Sequence, residues 1–524
     1  MTSEPIAYPD WTEYKKKSGL DPLGMQNSSI NLYQRLVPGI SNVTLRVRYY
    51  GLYAWLASIY AHRIGDTNPR VWQKFVRRAE AVYALAAQMR GDEGGMAGVL
   101  WAQRTLETDQ ASVVEFARHA DPDGDGQPYL QQAWGAYGAA YASQLFETGV
   151  YAVAKDHQIP VPSPEFGERL GQAFEQSAGP LAKRFFDTVQ SGSVTREDLD
   201  DFTALTPSSI PDGSAERRLY QDILFAMGPL QRPADLSRRQ TLLLLLRAAD
   251  HLHKVPDVAS ARWLFYAEAG RDGHEFAAND PALEQQRLRW FIYQANDLLH
   301  YSYATLLKFC LDELERFPAG TTLNRLLADA VSSISDAAPA WPETWQAFLS
   351  DTPPAGNANG GGPFAERRLT ESINGTAGVS HKTTAQEAWA ALKLLAVVMR
   401  RTEAVSTFIH AELGHLDREG FHSLVTEAAF LNARREERFT RMVARIIEER
   451  VIKRHIWVAH RKFRYQNDYT FLIEVDDGRV RPRAQSTPVL TNPRLGPAIT
   501  FLQDLHLIDG RGVTAQGKAL ADSL

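Results

Sequence analysis

From residue 281 to residue 316 the chain reads PALEQQRLRWFIYQANDLLHYSYATLLKFCLDELER, an uninterrupted helical spacing of apolar residues with proline in its first turn. The rest of the chain has the same texture. Residues 72–90 hold apolar side chains three and four apart and stop at Gly91, and 128–155, 165–190 and 236–255 follow suit. Convincing strand patterns are absent before residue 460. The densest helical stretch, SNVTLRVRYYGLYAWLASIYAHR (41–63), holds Tyr49, Tyr50, Tyr53, Trp55 and Tyr60. Wound as a helix, it puts Leu45, Tyr49, Leu52, Leu56 and Ile59 on one stripe, with Val47, Tyr50, Ala54 and Ala57 on the flanks. A helix apolar nearly all round is a core helix, not a platform presenting its rings to bases. Ser41 or Asn42, after the Pro38-Gly39 turn, is the expected cap, and Arg46 and Arg48 at its mouth have no assigned role.

The length of 524 residues suggests several domains, and 44% apolar with 23% charged residues excludes wholesale disorder. A net charge of -5 means that any polyanion must meet a local basic patch. One cysteine, Cys310, excludes a disulfide framework and a cysteine zinc cluster. The N-terminal stretch lacks an apolar signal core, and TLLLLL is cut short by Arg247 and Asp250, far below the roughly 18 apolar residues a membrane span needs. The expectation is a cytoplasmic protein without membrane contact.

Residues 351–363, DTPPAGNANGGGP, read as a flexible linker. It separates an N-terminal helical domain (1–230) and a central one (231–350) from a helical region (364–468). Two short near-copies, AERRLYQDIL (215–224) and AERRLTESIN (365–374), are too brief to establish a repeat. Residues 469–524 complete the plan. Tyr469 to Val475 is strand-like, Asp476-Asp477-Gly478 is turn chemistry, and Val480 begins a return strand. A helix over about 495–506, a hairpin through Asp509-Gly510-Arg511-Gly512 and a last helix give the cadence of a winged helix. The fold class is mainly α, a multi-helical body with a β-hairpin and a winged-helix-like C-terminal module.

Three constellations invite chemistry. In DPDGDGQPYLQQ, Asp121, Asp123, Asp125 and Gly126 match the first positions of a calcium loop, but Gln132 stands where the bidentate glutamate belongs. An acidic surface turn explains it as well. In HAELGHLDREGFH, the spacings of His410, His415, Asp417 and His422 do not converge on one helix face, so polar surface residues are the simpler reading. In YQANDLLHY, Asn296, Asp297, His300 and Tyr301 lie on an otherwise apolar helix, either as a buried hydrogen-bond network or with Asp297–His300 as an acid–base dyad. Phosphate-loop, dinucleotide and GxSxG motifs are absent, and Glu474-Val475-Asp476 lacks the lysine of a restriction-type nuclease core. No cofactor and no metal ligand are expected.

The basic C-terminal region is the most informative feature. Residues 450–467, RVIKRHIWVAHRKFRYQN, carry six cations and no carboxylate, among them Arg454, Arg461, Lys462 and Arg464. Arg479, Arg481 and Arg483 alternate with period two and point to one face of the return strand. Arg494 opens the winged-helix-like segment and Arg511 tips its wing. Such a concentration in an acidic chain suggests phosphate contacts, with a solvated helix face or a protein-docking module as the competing reading.

Two stretches, NLYQRLVPGISNVTLRVRYYGLYAWL (31–56) with the preceding Ile30, and RWFIYQANDLLHYSY (289–303), resemble mainly helical proteins of prokaryotic antiviral defence islands. The resemblance implies an accessory or sensor subunit beside a helicase, nuclease or ATPase and transfers no active-site residue. The leading expectation is a non-enzymatic DNA-binding or scaffolding subunit. The alternative is a divergent metal-dependent nuclease, or a hydrolase using Asp297 and His300.

Overall fold

The computed structural model describes residues 21–108, 112–153, 158–353, 356–373, 381–414 and 422–524. The protein is mainly helical, 62% helix against 5% strand, where an ordinary globular chain has roughly a third and a quarter. Two compact bodies share the chain. The first comprises Tyr33–Ala261, Ala278–Arg287 and Asn492–Leu524; the second comprises the described part of Met1–Leu32, with Arg262–Ala277 and Leu288–Thr491. This division is not the linear series of domains expected above, because the partners that fill each core come from remote positions in the chain.

In the first body the aromatic stretch is a core helix, Arg48–Arg63, with Tyr49, Tyr50, Tyr53, Trp55 and Tyr60 all buried. The ring of Tyr49 stacks on Tyr141 at 4.6 Å and meets Tyr83 edge-on at 5.1 Å. Trp55 packs against Phe174 and Phe185, and Tyr60 against Trp72. These partners come from helices Pro69–Arg90, Gly167–Ala178 and Pro180–Ser191 and from the π-turn Tyr137–Tyr141. The expected cap is not used. Ser41 and Thr44 close a turn on each other, Asn42 accepts the Arg494 N–H, and the helix begins after Val47 without a side-chain cap.

Arg46 and Arg48 are structural. The Arg46 guanidinium lies between Glu93 (2.6 Å) and Asp504 (2.8 Å), and Asp504 also accepts the Val47 N–H. Arg48, fully buried, pairs with Glu216 at 3.0 Å and donates to the carbonyls of Ala204 and Thr206. Nearby, buried Glu80 accepts from the hydroxyls of Tyr53 and Tyr129 and the backbone N–H groups of Ala136 and Tyr137. The C-terminal elements follow in the expected order. Helix Leu495–Asp504, a hairpin pairing Ile508 with Val513, and helix Ala515–Asp522 pack on helix Pro233–Leu252.

The second body is built around the 288–314 part of helix Pro281–Leu314, with Trp290, Tyr293, Leu298, Leu299, Tyr303 and Leu307 buried. A capping box between Thr384 and Glu387 opens helix Ala385–Glu403. Residues 356–363 are not a loose linker. Asn357 and Asn359 donate to the carbonyls of Gly270 and Ala269, and Ala358 is fully buried between them in sequence. The hairpin Ile473–Asp476 and Arg479–Pro482 turns at Asp477 and Gly478, which take φ of 46° and 71° as a two-residue hairpin requires. Its second strand pairs with Thr321–Thr322. Two-residue strands like this one, and the pairs Val113–Val114 with Val194–Thr195 and Tyr151–Ala152 with Val161–Pro162, carry no readable period. Among the described residues, no helix is long and apolar enough to cross a membrane.

Replacing Arg46 by methionine leaves Asp504 and Glu93 buried without their cation, and a loss of about 3–5 kcal/mol is expected from such an uncompensated pair. The loss will register as a lower urea midpoint. Replacing exposed Arg104 in the same body by alanine should change stability by less than about 0.5 kcal/mol.

Candidate nucleic-acid interface

The basic stretch of residues 450–467 forms a helix, Lys453–Gln466, that follows a π-helical segment, Ile446–Ile452, and ends on Asn467 in the left-handed conformation. Its inner side is held by unusual anchors. Arg454 donates to the Leu23 carbonyl at 2.7 Å, and Lys462 Nζ to the Asp21 carbonyl at 2.9 Å. Gly24, at φ 66°, brings this segment so close that a Cβ there would lie 2.9 Å from Val458. Buried His455 bridges both directions: Nδ1 lies 3.1 Å from the Pro22 carbonyl, and Nε2 accepts the Leu472 N–H at 2.8 Å. Those partners specify the neutral Nδ1–H tautomer. Burial pushes the His455 pKa down to about 4, helped by the Lys462 charge and opposed by the Pro22 carbonyl.

Of the cations expected to meet phosphate, Arg454 is corrected first. It is 6% exposed, burial lowers its pKa to about 10, and its donors serve the chain's own carbonyls. Lys462 is half-buried, with its charge disfavoured by burial and its ammonium bound to Asp21. Arg461 and Arg464 are exposed, as expected. On the hairpin, Arg479 is exposed, whereas Arg481 and Arg483 converge on Glu474 at 3.0 and 2.6 Å, and Arg483 also lies over Tyr469. Burial raises the Glu474 pKa, but the two guanidiniums outweigh it and hold the carboxyl below its usual range. Two of the three alternating arginines thus share, within the hairpin, the single carboxylate that the register sets opposite Arg481, which balances one of their two charges. Arg494 and Arg511 belong to the first body. Arg494 is half-buried, donates to the Ile40 carbonyl and lies over Tyr33, while Arg511 is exposed on its hairpin turn.

Exposed aromatic residues are what the charge pattern did not reveal. Trp457 and Phe463 are each 43% exposed, Tyr465 72% and Tyr469 37%. A helical projection holds part of the signal, since Trp457, Arg461, Arg464 and Tyr465 fall on one face and His455, Val458 and Ala459 beyond it, but it places buried Arg454 within the exposed arc.

The other constellations resolve into packing. Asp297 is committed to Arg262 (2.6 Å) and to the N–H and hydroxyl of Thr491, so it does not form a dyad with His300. His300 is buried 3.9 Å from Asp21, and neither ring nitrogen has a hydrogen-bond partner among the described residues. Asn296 bridges Ser29 and the Leu424 N–H. In the calcium-like loop, Asp121 pairs with Arg78 and Lys74, which outweigh burial and lower its pKa, and Asp125 pairs with Arg118. His410 Nδ1 lies 2.8 Å from the Ser406 carbonyl and His422 Nδ1 2.7 Å from Glu427, while His415 and Asp417 fall outside the described residues. Among the described residues, no group of three or more His, Cys, Asp or Glu is arranged to hold a metal.

No family model, curated protein or solved structure matches the chain.

The His455 bridge makes a pH prediction. Below pH 6.5 the unfolded chain takes up a proton that the folded imidazole refuses until about pH 4. Stability from this site is therefore full above pH 6.5, and roughly 3 kcal/mol is lost on descending to pH 4. Thermal melts of wild type and His455→Gln across that window will show the wild-type advantage shrinking as pH falls.

Proposed function

We propose that this protein is a non-enzymatic DNA-binding and scaffolding subunit of a multi-protein bacterial system in the cytoplasm. The resemblance of residues 31–56 and 289–303 points to antiviral defence, beside a helicase, nuclease or ATPase. The observation that carries the reading is the outer face of the Lys453–Gln466 helix. Arg461 and Arg464 are exposed there, and the helix carries no carboxylate. Exposed guanidiniums on a rigid, anchored helix are suited to phosphate, which recognises charge and position rather than sequence. Arg479 supplies a further exposed cation in the same body. Asp297, which the hydrolase alternative would pair with His300, is held by Arg262 and Thr491. The C-terminal helix–hairpin–helix, with exposed Arg511, is read as a winged-helix-like module serving DNA or a protein partner.

Each phosphate contact steepens the fall of log affinity with log salt by roughly 0.7 on single strands and 0.9 on duplex. Replacing Arg461 and Arg464 together by alanine should shallow the slope by about 1.5, by that rule. Replacing Arg481 and Arg483, one of whose two charges Glu474 balances, should change it by about half as much. Fluorescence anisotropy of labelled DNA titrated across salt measures both. Absence of binding by the wild type even at low salt refutes the reading.

A further inference from the structure

The Lys453–Gln466 helix is inverted. Its buried residues include an arginine and a histidine, Arg454 and His455, while Trp457, Phe463 and Tyr465 face outward. Large aromatic side chains ordinarily occupy the inner side of such a helix, and burying a cation in their place is costly. Helix, turn and hairpin entry together expose four aromatic residues between positions 457 and 469, Tyr469 being the last.

The exposed rings are interleaved with charge. Arg461 lies 5.5 Å from the Trp457 ring centroid and Arg464 5.5 Å from that of Tyr465. Phe463 and Tyr469 meet edge-on at 5.9 Å, with Arg483 over Tyr469 at 4.4 Å. Trp457 and Tyr465 are eight residues apart, hence about 12 Å along the axis on neighbouring faces. An apolar protein surface would have to strip water from Arg461 and Arg464 without supplying counter-charge. The matching ligand is one that presents flat π-faces and negative charges in alternation. Duplex DNA presents the charges but keeps its base faces stacked inside; a single strand offers both.

We propose that this face binds single-stranded DNA, with unstacked bases on Trp457 and Tyr465 and phosphates on Arg461 and Arg464. The inference rests on the DNA-binding reading above and names its substrate class. The anchors at Leu23, Pro22 and Leu472 hold the platform rigid before the strand arrives, so little side-chain order is left to be imposed on binding.

The test uses the full-length protein and fluorescence anisotropy with a labelled oligothymidylate and a duplex of equal length at one salt concentration. The oligothymidylate should bind at least tenfold more tightly than the duplex. Trp457→Ala with Tyr465→Ala should weaken oligothymidylate binding by tenfold or more for each ring lost, within the range known for base–aromatic stacking, and should leave the duplex affinity nearly unchanged. Trp457→Phe with Tyr465→Phe keeps a π-face at both sites and should restore most of the affinity, with thermal melts confirming that all variants fold. Equal affinity for the two ligands, or an unchanged oligothymidylate affinity in the alanine variant, overturns the single-strand inference while leaving the DNA-binding reading standing. No binding of either ligand overturns both.

Discussion

One guanidinium closes the first body. Arg46 lies inside the protein between Glu93 and Asp504, so residues 458 positions apart share one desolvated charge cluster. Burial drives the Asp504 pKa up to about 6 even beside Arg46. The pairing has to be geometrically good, since each ion gives up several kcal/mol of hydration when buried. Two further details show that it is. Asp504 accepts the Val47 N–H at the start of the aromatic helix, and the Arg46 guanidinium also donates to Ser208 and to the Gly94 carbonyl. The C-terminal segment 492–524 thus belongs to the body whose first helix it helps to begin.

The same device recurs with different residues. Glu216 pairs with Arg48 and accepts the Tyr220 hydroxyl; Glu366 pairs with Arg401 and accepts the Tyr266 hydroxyl; Glu427 takes Arg450, His422 and the Tyr303 hydroxyl. In each case a carboxylate is neutralised by an arginine from another helix and capped by a tyrosine, which for Glu216 lies one turn along its own helix. The near-copies at 215–224 and 365–374 supply two of the three glutamates, which gives that textual echo a physical meaning. Helical packing by itself tolerates sliding and rotation of one helix on another. A buried carboxylate that must find both its partners does not, because a displaced pair leaves charge unpaired in a dry core.

On the outer side of the second body the logic runs in reverse. The Lys453–Gln466 helix attaches by polar anchors, Arg454, His455 and Lys462 reaching carbonyls of the 21–24 segment, and this frees its aromatic residues to face outward. The hairpin that follows begins where the Leu472 N–H meets His455 and lodges two of its three arginines on Glu474. Of the candidate cations in this body, Arg461, Arg464 and Arg479 are the exposed ones.

Helical content, the burial of the 48–63 aromatics, the 477–478 turn and the helix–hairpin–helix ending were legible in the sequence by itself, because each is written in local spacing: periods of 3.6 or 2, and turn residues able to take positive φ. The sequence also marked the 450–467 region as basic, since composition needs no fold. Only the tertiary structure decided which of those charges are spent. Arg454 went inside because Leu23 and Gly24 offer carbonyls there, and Arg481 and Arg483 were drawn onto one glutamate across the hairpin that balances half their charge. Asp297 was claimed by Arg262 and Thr491 rather than by His300, one turn away on its own helix. Residues 356–363 resembled a linker until asparagine amides met carbonyls at 269 and 270. In each case the deciding partner lies outside the local stretch or across a turn, and neither the burial of a charge nor its neutralisation leaves a periodic trace in the residues that undergo it.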